Sequence, residues 1–218
     1  LLKLKTETLV IEGHSIEIEL PAEPEAMLEQ ALQEEASGVD GWDPYWGLLW
    51  AASPVTAALV LKQKWPSEWT CLELGCGVGL TGIVALKAGL HVTFSDQSPA
   101  AVAVAQCNAA RNGFPHAQGL VFPWHLPPDQ QFPLILASDV LYDRSGHEPL
   151  LTTLRSVLAP GGLVWIGDAG RNNAPHFVEL ARSRGWNVRL RDSHGQDTPS
   201  LEHLQFRLIQ LTQSQVDQ

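Results

Sequence analysis

Three stretches of this 218-residue sequence carry residue types whose spacing could do chemistry together. Leu72-Glu73-Leu74-Gly75-Cys76-Gly77-Val78-Gly79-Leu80-Thr81-Gly82 reads as a strand, a glycine-rich turn and a helix start. Missing side chains there let a ligand approach the backbone. Asp96 ends the next apolar run, where a carboxylate can accept hydrogen bonds from the hydroxyls of a ribose. Asp139 and Tyr142 follow a later apolar run, which in a parallel sheet puts them at the same carboxyl edge. Read as a dinucleotide loop, Gly-x-Gly-x-x-Gly, the glycines fail because Leu80 takes the third place; read as a phosphate loop they fail for want of a lysine. Glu73 separates the ligands that remain. A carboxylate two residues before the first glycine is unfavourable beside a pyrophosphate and favourable beside an ammonium or a sulfonium. S-adenosylmethionine (SAM) carries both cations and a ribose, so the loop favours SAM, although Asp96 alone would serve NAD equally well. Taken singly, the glycines read as a structural turn and Asp96 as a helix cap; spacing, strand context and Glu73 together weigh against that.

The elements around these residues follow from hydrophobic period. Thr6–Leu20 alternates apolar and polar residues about Glu12-Gly13, a pattern that predicts a hairpin. Glu23–Ala36 has Met27, Leu28, Ala31 and Leu32 at helical spacing and ends in Ser37-Gly38. After the aromatic stretch Trp42–Trp50, broken by Pro44 and Gly47, Ser53-Pro54 reads as an N-cap with proline at the first helical position. From Thr70 the rhythm is strand and helix in alternation. Strands are predicted at Thr70–Leu74, His91–Asp96, Gly119–Phe122, Leu134–Ser138, Leu163–Asp168, Trp186–Leu190 and Leu204–Leu211. Helices are predicted at Leu80–Ala88, Pro99–Asn112, Glu148–Leu158 and Ala174–Arg184. The nearly all-apolar central strands suit a parallel sheet covered on both faces, and with no helix between the last two, the final strand should return antiparallel. The expectation is an α/β, seven-stranded, doubly wound sheet of Rossmann-like type in one domain over 1–218. Residues 1–42 would be an extension of hairpin and helix, and 43–212 the core.

Composition narrows the function classes. A formal net charge of −10 and a pI near 5.2 disfavour a nucleic-acid partner, and Arg182, Arg184, Arg189 and Arg191 read as solvated charge near a helix end and a late strand. Cys71, Cys76 and Cys107 make no disulfide framework, which suits a reducing cytoplasm. Apolar runs fall short of a membrane span, and no charged-then-apolar leader opens the sequence. The expected protein is cytoplasmic, without membrane or nucleic-acid partners, and a monomer is favoured. No zinc pattern, no nucleophile elbow and no His-Glu-x-x-His is present, so no metal is expected.

The sequence resembles the class I SAM-dependent methyltransferases and, within them, the lysine methyltransferase family often labelled family 16. Four motifs between about Asp43 and Arg171 carry the likeness: Tyr45-Trp46-Gly47-Leu48-Leu49-Trp50, the glycine loop Leu72–Gly82, Phe122-Pro123-Trp124, and Ser138-Asp139-Val140-Leu141-Tyr142, which fits an Asp-x-x-Tyr signature. Asp43-Pro44-Tyr45-Trp46 and Ile166-Gly167-Asp168-Ala169-Gly170-Arg171 are further similar to segments of the electron transfer flavoprotein beta-subunit lysine methyltransferases, with Ala169 in place of a proline.

The resemblance implies roles. Trp50 borders the methionine end of SAM, Gly75 and Gly77 form its backbone cradle, Asp96 meets the ribose and Trp124 lies against the adenine. Glu73, Cys76, Gln97 and Ser138 complete the cofactor site. Asp139 would hold and orient the acceptor ammonium, Tyr142 would shape its channel, and Asp168 and Arg171 would serve the same side. The implied function is a SAM-dependent N-methyltransferase acting on a protein lysine, with the electron transfer flavoprotein beta subunit as a candidate acceptor. A small-molecule N-methyltransferase, a SAM-binding module without catalysis and, less well supported, an NAD oxidoreductase stay open on sequence.

Overall fold

The computed structural model describes residues 3–36, 44–199 and 203–213. Glu12 and Gly13, both at positive φ, turn strand β1 (Leu4–Ile11) into β2 (His14–Pro21), the geometry a two-residue hairpin requires. Helix α1 (Pro24–Ala36) follows; the Ser37-Gly38 stop, the side chains of Ala31 and Leu32, and Trp42-Asp43 lie outside what is described. A short 3-10 turn, Pro44–Gly47, leads to α2 (Ala52–Lys62).

The main sheet is built from β3 (Thr70–Leu74), β4 (His91–Asp96), β5 (Gln118–Val121), β6 (Phe132–Ser138), β7 (Leu158–Asp168), β8 (Trp186–Arg191) and β9 (Arg207–Gln213). Their spatial order is β5-β4-β3-β6-β7-β9-β8, and β9 runs antiparallel to both neighbours, as expected from the helix-free connection before it. The helices are α3 (Leu80–Lys87), α4 (Pro99–Arg111), α5 (His147–Val157) and α6 (Ala174–Ser183). One core layer packs α2, α3, α4 and the hairpin on the sheet, and the other packs α5 and α6 on the opposite face. Chain reversal between β3 and β6, whose neighbours lead away in opposite directions, opens a crevice at the carboxyl edge, the place where such sheets bind ligands.

The hairpin is tied to this core by side chains of α4. Buried Asn108 accepts from Glu19 N (2.7 Å) and donates to Glu19 O (2.9 Å) and Val78 O (2.9 Å), joining β2 to the glycine loop through one amide.

The two largest boundary differences from the sequence expectation have physical reasons. The β7 strand starts at Leu158, not Leu163, because Leu158 pairs with Phe132 before the register shifts and Leu134 pairs with Leu163, so Pro160-Gly161-Gly162, with Gly161 at φ 72, is a bulge within the strand. The last strand starts at Arg207, not Leu204; Leu204 is exposed at φ 60 and belongs to the preceding turn.

Candidate active site

The glycine loop between β3 and α3 is fixed by β4. Cys76 N–H donates to Ser95 O (2.8 Å) and Gly77 N–H to Asp96 Oδ2 (3.1 Å). Gly77 sits at φ 50, and a Cβ there would lie 2.9 Å from the Trp46 carbonyl oxygen, so the loop backbone rests directly on the aromatic segment. Asp96 also accepts from Ser98 N–H (3.0 Å), while Ser98 itself caps α4. Asp96 therefore braces the turn into α4 and the loop together, one oxygen to each. Burial pushes the Cys76 thiol up, and the nearby Asp96 and Glu73 charges add to it.

Glu73 is 3% exposed, and its Oε2 is buried without a hydrogen-bond partner among the described residues. Burial pushes its carboxyl up to about 8; the Gly82 amide pulls it down, the Asp96 charge pushes it up, and the Thr81 hydroxyl and amide pull it down. The Thr81 hydroxyl is within 3.1 Å of both the Ser53 and the Ser138 hydroxyls, a chain of three that joins α2, α3 and the end of β6.

Across the crevice, Asp139 follows β6 at φ 57, a left-handed conformation that aspartate adopts more readily than most residues. Its buried carboxylate accepts from Ala52 N–H (2.7 Å) through Oδ2, and from Arg171 Nε (3.0 Å) and Ala169 N–H (3.4 Å) through Oδ1. This corrects the N-cap expected at Ser53. The helix begins at Ala52, the side chain of Ser53 turns to Thr81, and the cap comes from Asp139, 87 residues away. Arg171 also lies over the Trp50 ring, 5.0 Å from its centroid. Tyr45 stands 6.0 Å from Trp50 and 6.1 Å from Tyr142 between ring centroids, and Trp50 Nε1–H donates to Tyr45 O (2.9 Å). Tyr142 is 44% exposed, which puts this aromatic wall at the mouth of the crevice. Trp124 packs on the Gly146 turn, where a Cβ would come within 3.2 Å of its ring.

One cleft is lined by the residues singled out from the sequence apart from Asp168 and Arg171: Trp50, Glu73, Gly75, Cys76, Gly77, Asp96 and Gln97 on one side, Trp124, Ser138, Asp139 and Tyr142 on the other. Sequence reasoning missed Ser53 as a lining group and Tyr45 as part of the wall; Tyr45 carried a signal only as one aromatic among several in Tyr45–Trp50. Asp168 and Arg171 are not among the lining residues.

A model of the lysine methyltransferase family matches residues 35–183, well over half of the chain. The chain belongs to that family. Its curated relatives include the histone-arginine methyltransferase METTL23 of Homo sapiens, 37% identical over 38% of this chain and 47% of that protein. They also include the electron transfer flavoprotein beta subunit lysine methyltransferase of Danio rerio, 29% identical over 69% of this chain and 60% of that protein. The chain spans less than half the length of several such relatives. Among solved structures, a TehB-like SAM-dependent methyltransferase from Corynebacterium glutamicum superposes with a TM-score of 0.62 over 88% of this chain and 99% of that one, at 21% identity. That likeness establishes the fold: a Rossmann-like methyltransferase sheet with an added hairpin. No helix among the described residues is long and apolar enough to cross a membrane, and no cluster of three or more potential metal ligands occurs among them.

Proposed function

We propose that this member of the lysine methyltransferase family is a SAM-dependent N-methyltransferase whose acceptor is a lysine side chain of a protein. The observation that carries the reading is the buried Glu73 carboxyl in a cleft with no lysine, arginine or histidine among its described lining residues. Such a site suits a ligand bringing its own positive charge and is costly to fill with a phosphate. Glu73 would answer the cationic end of SAM, with Cys76 and Gln97 beside it. Gly75 and Gly77 would leave the backbone open to it, Asp96 would meet the ribose, and Trp50, Trp124 and Ser138 would complete the walls. When bound, SAM supplies a methyl group on a sulfonium, already activated for transfer to an amine nitrogen.

The chain's own work is then alignment and dehydration. Asp139, at the opposite side of the cleft from the glycine loop, orients the amine. Tyr45, Trp50 and Tyr142 offer ring faces that attract an ammonium and admit its methylated forms. The electron transfer flavoprotein beta subunit is the first acceptor to try, on the strength of the likeness over 69% of this chain and the Gly167–Arg171 segment.

The test is transfer of tritiated methyl from SAM into cell extract and into purified electron transfer flavoprotein beta subunit, resolved on a denaturing gel. A discrete band that disappears with Asp96→Ala, and whose label maps to lysine by mass spectrometry, is the expected result. Label on arginine would move the acceptor class toward that of METTL23. No protein label despite SAM binding would point to a small acceptor or to a binder without catalysis. In the same assay Asp139→Asn, which tolerates the left-handed backbone and can still accept from Ala52, is expected to keep SAM affinity and lose transfer about 100-fold; unchanged turnover would remove Asp139 from the mechanism.

A further inference from the structure

Arg171 lies outside the cleft lining yet touches two of its walls. Its Nε donates to Asp139 Oδ1 at 3.0 Å, and its guanidinium lies 5.0 Å from the Trp50 ring centroid. The backbone that delivers it is tightly determined. Asp168 Oδ1, fully buried, accepts from both Gly170 N–H and Arg171 N–H at 2.8 Å. Gly170 is at φ 87, and a Cβ there would overlap the backbone amide of Gln205; its carbonyl accepts from Leu204 N–H at 3.0 Å. An aspartate-held turn wedged against the chain before β9 thus fixes where this one side chain begins. Among the described residues Arg171 is the one cation hydrogen-bonded to Asp139, whose other partners are the neutral amides of Ala52 and Ala169.

We propose that Arg171 is a positioning residue that neutralises Asp139, so that an acceptor amine in the cleft is oriented by Asp139 without being kept protonated. This rests on the methyltransferase reading above. Nucleophilic attack requires the neutral amine, and a lone carboxylate beside the amine would favour its ammonium form. With Arg171 in place the amine meets a neutral ion pair and ring faces; without it the amine meets an uncompensated carboxylate. The groups facing Asp139 are Arg171 and the Ala169 amide from the turn after β7, the Asp168 carboxyl at the end of β7, and the Ala52 amide of α2. The phenols of Tyr45 and Tyr142 share the cleft with it.

The experiment measures the rate of lysine labelling at saturating SAM from pH 6.5 to 10 for the wild type, Arg171→Lys and Arg171→Gln, with SAM dissociation constants from calorimetry. Expected are SAM constants within about twofold of one another and a wild-type-like profile for Arg171→Lys. For Arg171→Gln the rate at pH 7 should fall about tenfold or more, with the half-maximal pH raised by about one unit or more, so that alkaline pH recovers much of the loss. In an Asp139→Asn background, Arg171→Gln should no longer move the profile, because the charge it compensates is gone. The inference is overturned if Arg171→Gln loses rate equally at every pH, loses SAM affinity in parallel, or behaves as the wild type. A wild type that binds SAM and labels no protein would instead defeat the protein-lysine reading, and this inference with it.

Discussion

Replacing Glu73 by glutamine is expected to stabilise the cofactor-free protein while weakening its hold on the cofactor. The carboxyl ordinarily titrates at 4.5 and is pushed up to about 8 in the fold, chiefly by burial. Below pH 4.5 the folded and unfolded chains both carry the proton, and Glu73 adds nothing to the pH dependence of stability. Between 4.5 and 8 the unfolded chain has released the proton while the folded chain keeps it, so folding is disfavoured by about 1.4 kcal/mol for each pH unit. The accumulated cost reaches about 5 kcal/mol above pH 8, against a total stability of about 5–15 kcal/mol for an ordinary domain. Glutamine has nearly the same shape and does not titrate. Urea unfolding without cofactor should therefore give similar stabilities for the two proteins at pH 5, and a variant several kcal/mol more stable at pH 8.5. SAM affinity should show the opposite preference. Binding a cation beside Glu73 requires the ionised carboxylate, so wild-type affinity should rise with pH up to about 8, while the variant binds more weakly and without that slope. Parallel stability curves for the two proteins would refute the reasoning, since they would mean that Glu73 is already ionised and partnered in the folded chain.

Two further outcomes test the frame around the cleft. Asn108→Ala leaves Glu19 N–H, Glu19 O and Val78 O without their buried partner and should cost about 2–4 kcal/mol in denaturant unfolding, with faster proteolysis of the hairpin; a change below 0.5 kcal/mol, roughly the scatter of surface substitutions, would mean the hairpin does not depend on it. Gly77→Ala places a methyl group 2.9 Å from the Trp46 carbonyl at a positive φ. The backbone strain alone is about 1–2 kcal/mol, and calorimetry should show SAM affinity lowered about tenfold or more.

Much of this architecture was legible because its signals are local. The hairpin announced itself in Glu12-Gly13, and β3, β4 and the core of β6 in short apolar runs closed by polar residues. What escaped was long-range. No local pattern can reveal that α2 is capped by Asp139, since the acceptor lies 87 positions on and the nearest candidate, Ser53, is spent on Thr81. Pro160-Gly161-Gly162 has turn composition but is carried inside β7 as a bulge, because Leu158 before it and Leu163 after it both pair with β6. In the site, the charged and glycine positions were readable because few residue types can do their work. Tyr45 was not, because an aromatic residue beside other aromatics reads equally well as core, and only the ring geometry with Trp50 and Tyr142 sets it at the mouth.

The described lining of the cleft holds three acidic side chains, and the fold gives each a different electrostatic setting. Asp96 has an oxygen on each of two backbone amides, which suits a residue meant to be held still and offered to neutral hydroxyls. Glu73 has burial and, among the described residues, no cationic partner; its ionised form is costly until a positive ligand arrives, which ties its charge to occupancy. Asp139 has a fixed guanidinium, a helix amide and an aromatic ring clamped by the same guanidinium, so its charge is answered before any acceptor enters. A methyl donor with a permanent cation and an acceptor that must shed its proton make opposite demands on a carboxylate. One site can meet both only by holding one acid bare and another compensated, and that division is what pushes environments apart in acid–base sites generally. If Arg171→Gln erased the difference between Glu73 and Asp139, the cleft should still bind SAM and should fail selectively at the acceptor.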